Sequence, residues 1–196
     1  MFDWPLRERL VTVATLGYCL GCVNFGYYLV RLRRRVDLRA VHSGNAGATN
    51  AGRVLGRRAF VAVLALDAAK GASAALVGLW VADYAGAATA ALACIAGHIW
   101  PAQLSFRGGK GIAAALGGLF VLEPSVTASA AGLALVLHAI TRRWSASGLV
   151  AVGVAPLLTW PLGRPLAAAI PIAIAAAAVL FAHRDELRAP GAAASS

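Results

Sequence analysis

Long apolar runs alternate with short polar, basic or proline- and glycine-containing breaks along the whole chain. The runs cover about residues 10–30, 59–82, 86–104, 111–122, 125–141, 149–162 and 166–182. A helix that crosses a bilayer needs about 20 predominantly apolar residues, within a range of roughly 17–25. The first three runs reach that length, so the pattern predicts an all-α, polytopic integral membrane protein.

The four shorter runs join into two longer stretches, 111–141 and 149–182, each of which could be one helix or a hairpin of two. A single helix of that length would measure about 46–51 Å, whereas the hydrocarbon core of a bilayer is about 30 Å thick. Glu-Pro at 123–124 and Gly-Arg-Pro at 163–165 interrupt the two stretches, and proline disfavours helix at the residue before it. We therefore predict two hairpins and about seven transmembrane helices.

Composition supports a membrane protein, since 60% of the residues are hydrophobic and 13% are charged, against about 45–50% apolar residues in soluble domains. We expect one transmembrane domain over residues 1–188. The Ala-, Ser-, Pro- and Gly-containing tail, 189–196, is expected to be disordered.

The basic residues predict the orientation and the partners of the chain. Short cytoplasmic loops are enriched in Lys and Arg, and seven helices with the N-terminus outside place fourteen of the eighteen basic residues on the cytoplasmic side, together with the C-terminus. The net charge of +10 is scattered among loops without a nucleic-acid module, so the expected partners are membrane lipids and not nucleic acid.

Two polar segments interrupt this apolar chain. The first segment is HSGNAGATNAGR at 42–53, and the second segment is SFRGGKG at 105–111. The second segment is not a nucleotide-binding P-loop, because Gln103 stands where that motif needs glycine and Gly111 follows the lysine where it needs Ser or Thr.

Both segments have the chemistry of phosphate binding. In the second segment, glycines expose backbone amides beside Lys110, and a helix is predicted to begin at Ile112 with the positive end of its dipole towards an anion. In the first segment, hydroxyl and amide donors precede Arg53, whose guanidinium can hold two phosphate oxygens. The candidate phosphate-binding residues are Ser43, Gly44, Asn45, Thr49, Asn50, Arg53, Gly108, Gly109, Lys110 and Gly111.

Alternative interpretations of these residues remain open. Glycines also serve close helix packing, and basic loop residues also determine topology. Asp67 and Lys70 lie three residues apart within a span, where pairing reduces the cost of burying each charge, so we interpret them mainly as a structural pair. His98 is expected to support the second segment, and a lone histidine such as His183 is often a helix cap.

Several blocks of the sequence resemble the bacterial integral-membrane acyl-phosphate:glycerol-3-phosphate acyltransferases. LGCVNFGYYLVRL at 20–32 and LDAAKG at 66–71 resemble two of the family's helices. DLRAVHSGNAGATNAGR at 37–53 and AGHIWPAQLSFRGGKGIAAALG at 96–117 resemble its first two motifs. TRRWSASG at 141–148 and HRDEL at 183–187 are similar to two later motifs.

The resemblance implies transfer of a fatty acyl group from acyl phosphate to the 1-hydroxyl of glycerol 3-phosphate, giving lysophosphatidate and phosphate. It implies an active site on the cytoplasmic side of the bacterial cell membrane, no cofactor, no metal and, as a partner, the soluble enzyme that forms acyl phosphate. Residues matching the motifs are assigned as catalytic: Ser43, Arg53, Lys110, Ser145 and His183.

The last motif departs from the family pattern, because Glu186 stands where asparagine is expected. A carboxylate near two phosphates repels them unless it pairs with a cation, and Arg184 and Arg188 are the expected partners. Two alternatives remain open, the first because of this departure and the second because a transporter would use the same basic lining. One is a catalytically weakened relative that binds lipid precursors, and the other is a transporter of small phosphorylated anions, which would need polar residues at both membrane faces.

Overall fold

The computed structural model describes residues 4–188, and the fold of these residues is entirely helical. The all-α prediction is therefore confirmed, and the tail predicted at 189–196 lies outside the described residues. The α-helices are α1 (Leu6–Cys22), α2 (Phe25–Arg34), α3 (Ala48–Leu55), α4 (Arg57–Ile99), α5 (Ile112–Leu122), α6 (Pro124–Thr141), α7 (Trp144–Val154), α8 (Leu166–Ala182) and α9 (Arg184–Arg188). Short 3-10 turns occupy Leu38–Ala40, Ala102–Leu104 and Ala155–Thr159.

Helix α4 is a hairpin of two arms, 57–81 and 84–99, because the backbone leaves the helical conformation at Ala82 and Asp83. Gly78 and Gly86 lie in direct backbone contact, although a continuous helix would separate them by about 12 Å. The chain thus reverses between the apolar runs 59–82 and 86–104, as the sequence predicts.

Within the described residues, three helical stretches are long and apolar enough to cross a membrane: Leu6–Arg34, Arg57–Leu104, which contains the reversal, and Pro124–Thr141. Shorter apolar helices cover Ile112–Leu122, Trp144–Thr159 and Leu166–Ala182. The predicted interruptions at 123–124 and 163–165 are both present, and α6 begins at Pro124 as its first residue. The chain is thus an all-helical membrane protein with several apolar helices.

The first apolar run is not the single helix that the sequence predicts, since α1 ends at Cys22 and α2 begins at Phe25. The break is stabilised from far along the chain. The Nζ atom of Lys70 donates to the carbonyl oxygens of Gly21 and Val23, at 2.9 Å and 2.6 Å. In an apolar environment every backbone polar group needs a partner, so Lys70 compensates for the broken helix.

Glycine and alanine form the closest helix contacts. Gly17 of α1 lies against the backbone of Ala90, and Gly117 of α5 lies against the backbone of Ala68. Close approach through small residues is typical of helix packing within membranes. Many large apolar side chains face outwards instead, as in Trp80, which is 61% exposed. The outer surface is therefore suited to lipid and the interior to close packing.

Candidate active site

One cavity of about 560 Å³ collects residues from three distant parts of the chain. Its polar lining comprises Ser43, Asn45 and Arg53 of the first segment, Arg107 and Lys110 of the second, and Arg184, Asp185 and Glu186 of α9, with His42 and the glycines Gly44, Gly108 and Gly109. The structure thus brings together seven of the sequence-predicted site residues: Ser43, Gly44, Asn45, Arg53, Gly108, Gly109 and Lys110.

A backbone hydrogen bond joins the two segments directly. The N–H group of Ala46 donates to the carbonyl oxygen of Gly108 at 3.1 Å. Gly26 of α2 packs against the carbonyl oxygen of Ala46, where a larger residue would collide with the backbone. The first segment is thereby held between α2 and the second segment, and both face the same cavity.

An ion pair that the sequence reasoning missed fastens the loop before the first segment. The Arg39 guanidinium donates to both carboxylate oxygens of Asp37, at 3.0 Å and 2.8 Å, and to the carbonyl oxygen of Leu104 at 2.6 Å. Planar, two-pronged contacts of this kind fix orientation as well as distance. The Asp-x-Arg spacing was the only sequence signal for this clamp, by which we mean the contacts of Arg39 with Asp37 and Leu104. The clamp connects the residues just before the first segment to the residue just before the second.

Acid should loosen this clamp. Hydrogen bonds from Arg39 lower the pKa of the Asp37 carboxyl, so the folded state binds its proton less readily than the unfolded chain does. The stabilisation is complete above the unfolded pKa, about 3.9, and is lost as the pH falls through the lower folded value. We expect amide hydrogen exchange in 37–47, corrected for intrinsic rates, to rise below about pH 4 in the native protein. Asp37→Asn should show fast exchange at neutral pH as well, and equal exchange in the two proteins at neutral pH would contradict the clamp.

The second segment uses part of its exposed backbone for its own folding. The amides of Gly108 and Gly109 donate to the carbonyl oxygens of Ile99 and His98, each at 3.0 Å, and are therefore already paired. We predicted that these two amides bind an anion, but in this structure both already donate to backbone carbonyl oxygens. Within residues 4–188 the amides of Lys110 and Gly111 have no backbone partner, and α5 begins at Ile112 as predicted.

Asn45 shapes the cavity side of the first segment. Its Oδ1 atom accepts from the amide of Gly47 at 2.8 Å, and its Nδ2 atom donates to the Ser43 hydroxyl at 3.2 Å. The bond to Gly47 forms a short turn that orients the Ser43 hydroxyl beside the Asn45 amide. Arg53 is exposed at the cavity and has no acidic partner among the described residues.

Asn50 and Thr49 lie away from the cavity lining. Asn50 is fully buried, and its Nδ2 atom donates to the carbonyl oxygens of Leu38, Val41 and Asn45 at 2.9–3.1 Å. This amide therefore holds the loop together and has no hydrogen left for a phosphate. Thr49 is exposed at the start of α3 but does not line the cavity.

A buried cluster of Asp67, Lys70 and His98 lies behind the second segment. The predicted Asp67–Lys70 ion pair is present, with Lys70 Nζ 3.0 Å from Asp67 Oδ1 and both side chains almost completely buried. The Nδ1 atom of His98 lies 3.4 Å from the same carboxylate oxygen. The His98 ring also packs on Gly109, where a side chain would collide with it. None of these three side chains lines the cavity, but His98 supports the backbone of Gly109, which does, and Asp67 in turn contacts His98.

Two of the predicted catalytic residues are not in the cavity lining. His183 is buried at the end of α8, its Nδ1 atom lies 2.7 Å from the carbonyl oxygen of Val179, and burial, with a contribution from the Lys110 charge, lowers the pKa of its imidazole. Ser145 is exposed at the start of α7. In that motif it is Ser147 that is buried, with its hydroxyl donating to the Arg143 carbonyl oxygen at 2.9 Å.

Glu186 pairs with Lys110 of the second segment, which the sequence reasoning did not predict. Glu186 Oε1 and Lys110 Nζ form a close ion pair at the cavity wall. Of the expected partners, Arg184 contacts Asp185 and the Phe181 carbonyl oxygen, and the Arg188 side chain lies outside the described part of the structure. Among the described side chains, no group of three or more His, Cys, Asp or Glu residues could hold a metal ion.

Comparisons with known proteins agree with this arrangement. A family profile described as "Glycerol-3-phosphate acyltransferase" matches residues 11–190. "Glycerol-3-phosphate acyltransferase 1" of Desulfitobacterium hafniense is 44% identical over 176 residues, which are 88% of this chain and 86% of that protein. The glycerol-3-phosphate acyltransferase of Agrobacterium fabrum is 35% identical over 187 residues, covering 95% and 91% of the two chains.

Two crystal structures of the integral membrane glycerol 3-phosphate acyltransferase PlsY share the fold. The glycerol 3-phosphate form superposes with a TM-score of 0.84 at 32% identity, covering 91% of this chain and 90% of that one. The lysophosphatidic acid form superposes with a TM-score of 0.81 at 28% identity and the same coverage. From its matched length, its shared fold and its two joined polar segments, the chain belongs to the PlsY family of integral-membrane glycerol-3-phosphate acyltransferases.

Proposed function

We propose that this acyltransferase takes its acyl group from an acyl phosphate and passes it to the 1-hydroxyl of glycerol 3-phosphate. The products are 1-acylglycerol 3-phosphate and inorganic phosphate. The observation that carries the proposal is the hydrogen bond between Ala46 and Gly108, because it joins two distant polar segments around one cavity. Arg53 and Lys110 line that cavity, so cations from both segments are available for two phosphate groups.

The reaction needs little covalent chemistry from the protein. Phosphate is a good leaving group, so the donor is already activated. The glycerol oxygen attacks the acyl carbonyl carbon, the bond from that carbon to the phosphate oxygen breaks, and a phosphate oxygen of the donor takes the hydroxyl proton. Positioning the two substrates and stabilising the developing negative charge supply much of the rate acceleration.

Residue roles follow from the positions around the cavity. Lys110 and the unpaired amides that precede α5 hold the acyl phosphate together with Ser43, since a helix N-terminus with free amides attracts anions. Arg53 and Asn45 hold glycerol 3-phosphate. His183, neutral and buried next to the cavity residue Arg184, positions α9 and is a candidate contact for the acceptor. Ser145, although not in the lining, remains a proposed donor to the acyl phosphate.

The proposed topology has seven crossings, with the N-terminus outside and the cavity at the cytoplasmic face of the bacterial cell membrane. Its support is the concentration of basic residues in the loops that carry both segments, which is typical of cytoplasmic loops. A cavity on that face receives glycerol 3-phosphate from the cytosol, and a soluble enzyme that forms acyl phosphate delivers the donor there. The apolar helix surfaces accept the acyl chain.

A product assay tests the donor. Purified protein, supplied with an acyl phosphate and glycerol 3-phosphate, should release inorganic phosphate and form 1-acylglycerol 3-phosphate in equal amounts. Omitting glycerol 3-phosphate is the control for simple hydrolysis. Folded protein that forms no lipid product with this donor would refute the proposal.

The same assay distinguishes this function from a second candidate function, which one observation favours. Because Glu186 pairs with Lys110, the chain could be a weakened relative that binds its substrates without efficient turnover. Binding of both substrates with no product would support that function. A transporter of phosphorylated anions would instead exchange labelled glycerol 3-phosphate across proteoliposomes.

A further inference from the structure

Glu186 reaches from the far end of the chain to a residue of the second segment. The two partners are 76 positions apart in sequence, and the ion pair lies at the cavity wall. The Lys110 side chain is 21% exposed and that of Glu186 is 31% exposed. Water therefore screens this pair less than it screens a fully exposed pair.

Lys110 cannot serve the carboxylate and a phosphate equally well. Carboxylate and phosphate oxygens both accept charge-assisted hydrogen bonds from an ammonium group. A phosphate placed on Lys110 would also lie next to the Glu186 carboxylate, and two negative charges so close together repel each other. Binding of a phosphate thus requires Glu186 to move.

We propose that Glu186 is an internal competitor for the phosphate-binding lysine, which occupies Lys110 in the empty cavity and is displaced by the phosphate group of a substrate. The inference rests on the proposed function, since it takes Lys110 as a phosphate ligand. Arg184 offers the displaced carboxylate another cation, because it lines the same cavity and its side chain is 46% exposed.

Competition of this kind sets a threshold for binding, because every anion that uses Lys110 must first displace Glu186. A ligand that carries one negative charge, such as a carboxylate, only replaces one equivalent contact with another. A phosphate dianion gains more from Lys110 than Glu186 does, because its charge is larger. Glu186 thus lowers the affinity of every anion that uses Lys110, so only ligands that gain enough from this lysine, such as phosphate monoesters and acyl phosphates, fill the cavity at moderate concentrations.

Inorganic phosphate is a suitable probe, and a matched control exists on the same helix. Asp185 also lines the cavity, but its side chain is 83% exposed and lies 3.9 Å from Arg184. Glu186→Gln and Asp185→Asn therefore remove one negative charge each from the same cavity, and only the first frees Lys110. Titration calorimetry on the full-length protein in detergent measures the affinity of both variants, and of Lys110→Met, for phosphate and for acetate.

Glu186→Gln should bind phosphate about tenfold more tightly than the native protein, whereas Asp185→Asn should change the affinity by about twofold or less. Acetate binding should strengthen by no larger a factor than phosphate binding in Glu186→Gln, because both ligands are relieved of the same displacement cost and the Glu186 charge repels the dianion more strongly. Equal phosphate affinities in Glu186→Gln and Asp185→Asn would overturn the competitor role.

Lys110→Met separates this inference from the proposed function. If Lys110→Met binds phosphate as tightly as the native protein, Lys110 is not a phosphate ligand and the proposed site itself fails. If Lys110→Met binds weakly but Glu186→Gln matches its control, the site stands and only the competition is wrong. A hundredfold loss of turnover in Glu186→Gln, with phosphate affinity unchanged, would assign the carboxylate to the reacting atoms and also overturn the inference.

Discussion

Lys110→Ala and Arg53→Ala should each lower kcat/KM for acyl transfer by roughly 10²–10³-fold, the usual cost of removing a group that stabilises charge in the transition state. Negative charge develops on the acyl carbonyl oxygen and on the departing phosphate during the reaction. The two cations belong to different segments but line one cavity, so neither can replace the other. Initial rates of phosphate release at varied concentrations of both substrates measure the effect.

A matched control keeps this result interpretable. Arg57 lies four residues after Arg53, is exposed and does not line the cavity, so Arg57→Ala removes the same charge without touching the site. It should retain turnover within about twofold, as surface substitutions usually do. Normal activity in both Lys110→Ala and Arg53→Ala would show that the reaction takes place elsewhere in the molecule.

Asp67→Ala should destabilise the fold by about 3–5 kcal/mol, because it leaves the Lys70 charge buried without its carboxylate. Lys70 keeps its contacts with the carbonyl oxygens of Gly21 and Val23, which hold the end of α1. The charge then has no neutralising partner in an apolar interior, where such partners are almost always present. A loss of this size lowers the melting temperature by on the order of 10 °C.

The buried thiol of Cys94 reports this unfolding directly. Cys94 is fully buried, whereas Cys19 is exposed and Cys22 is half-buried, so a background with alanine at 19 and 22 leaves one protected thiol. Its reaction with a thiol-specific fluorophore during heating gives the melting temperature. Asp185→Ala, which removes an exposed carboxylate, is the control. An unchanged melting temperature in Asp67→Ala would contradict a stabilising role for the buried pair.

Local chemistry explains which features the sequence could predict. The interruptions at 123–124 and 163–165 follow from the backbone restrictions of proline, and the Asp67–Lys70 pair follows from helical spacing and the cost of lone charges. Glycine and charge mark the two polar segments as one site without any knowledge of the fold. The interruptions, the ion pair and the composition of each segment depend on residues that are neighbours in the chain, whereas the meeting of the two segments was predicted from their shared phosphate-binding chemistry.

Features that depend on residues far apart in the chain could not be predicted from the local sequence. The break between α1 and α2 has no proline, and its free carbonyl groups are satisfied by Lys70, which is 47 positions away from Val23. The pairing of the Gly109 amide depends on the position of the His98 carbonyl group, and the partner of Glu186 comes from another part of the fold. A pattern of residue types does not specify which of several cations a carboxylate will meet.

The glycine and alanine contacts between helices constrain how this sequence can drift during evolution. A methyl group added at Gly21 or Gly97 would strike the backbone of the opposing helix, so these positions accept almost no exchange. An outward leucine can become isoleucine, valine or phenylalanine, because fluid lipid refills the space around it. The large side chains that face lipid therefore tolerate exchange, whereas the glycines at these helix contacts do not, and orthologues will vary more on the lipid-facing surface than at the contacts.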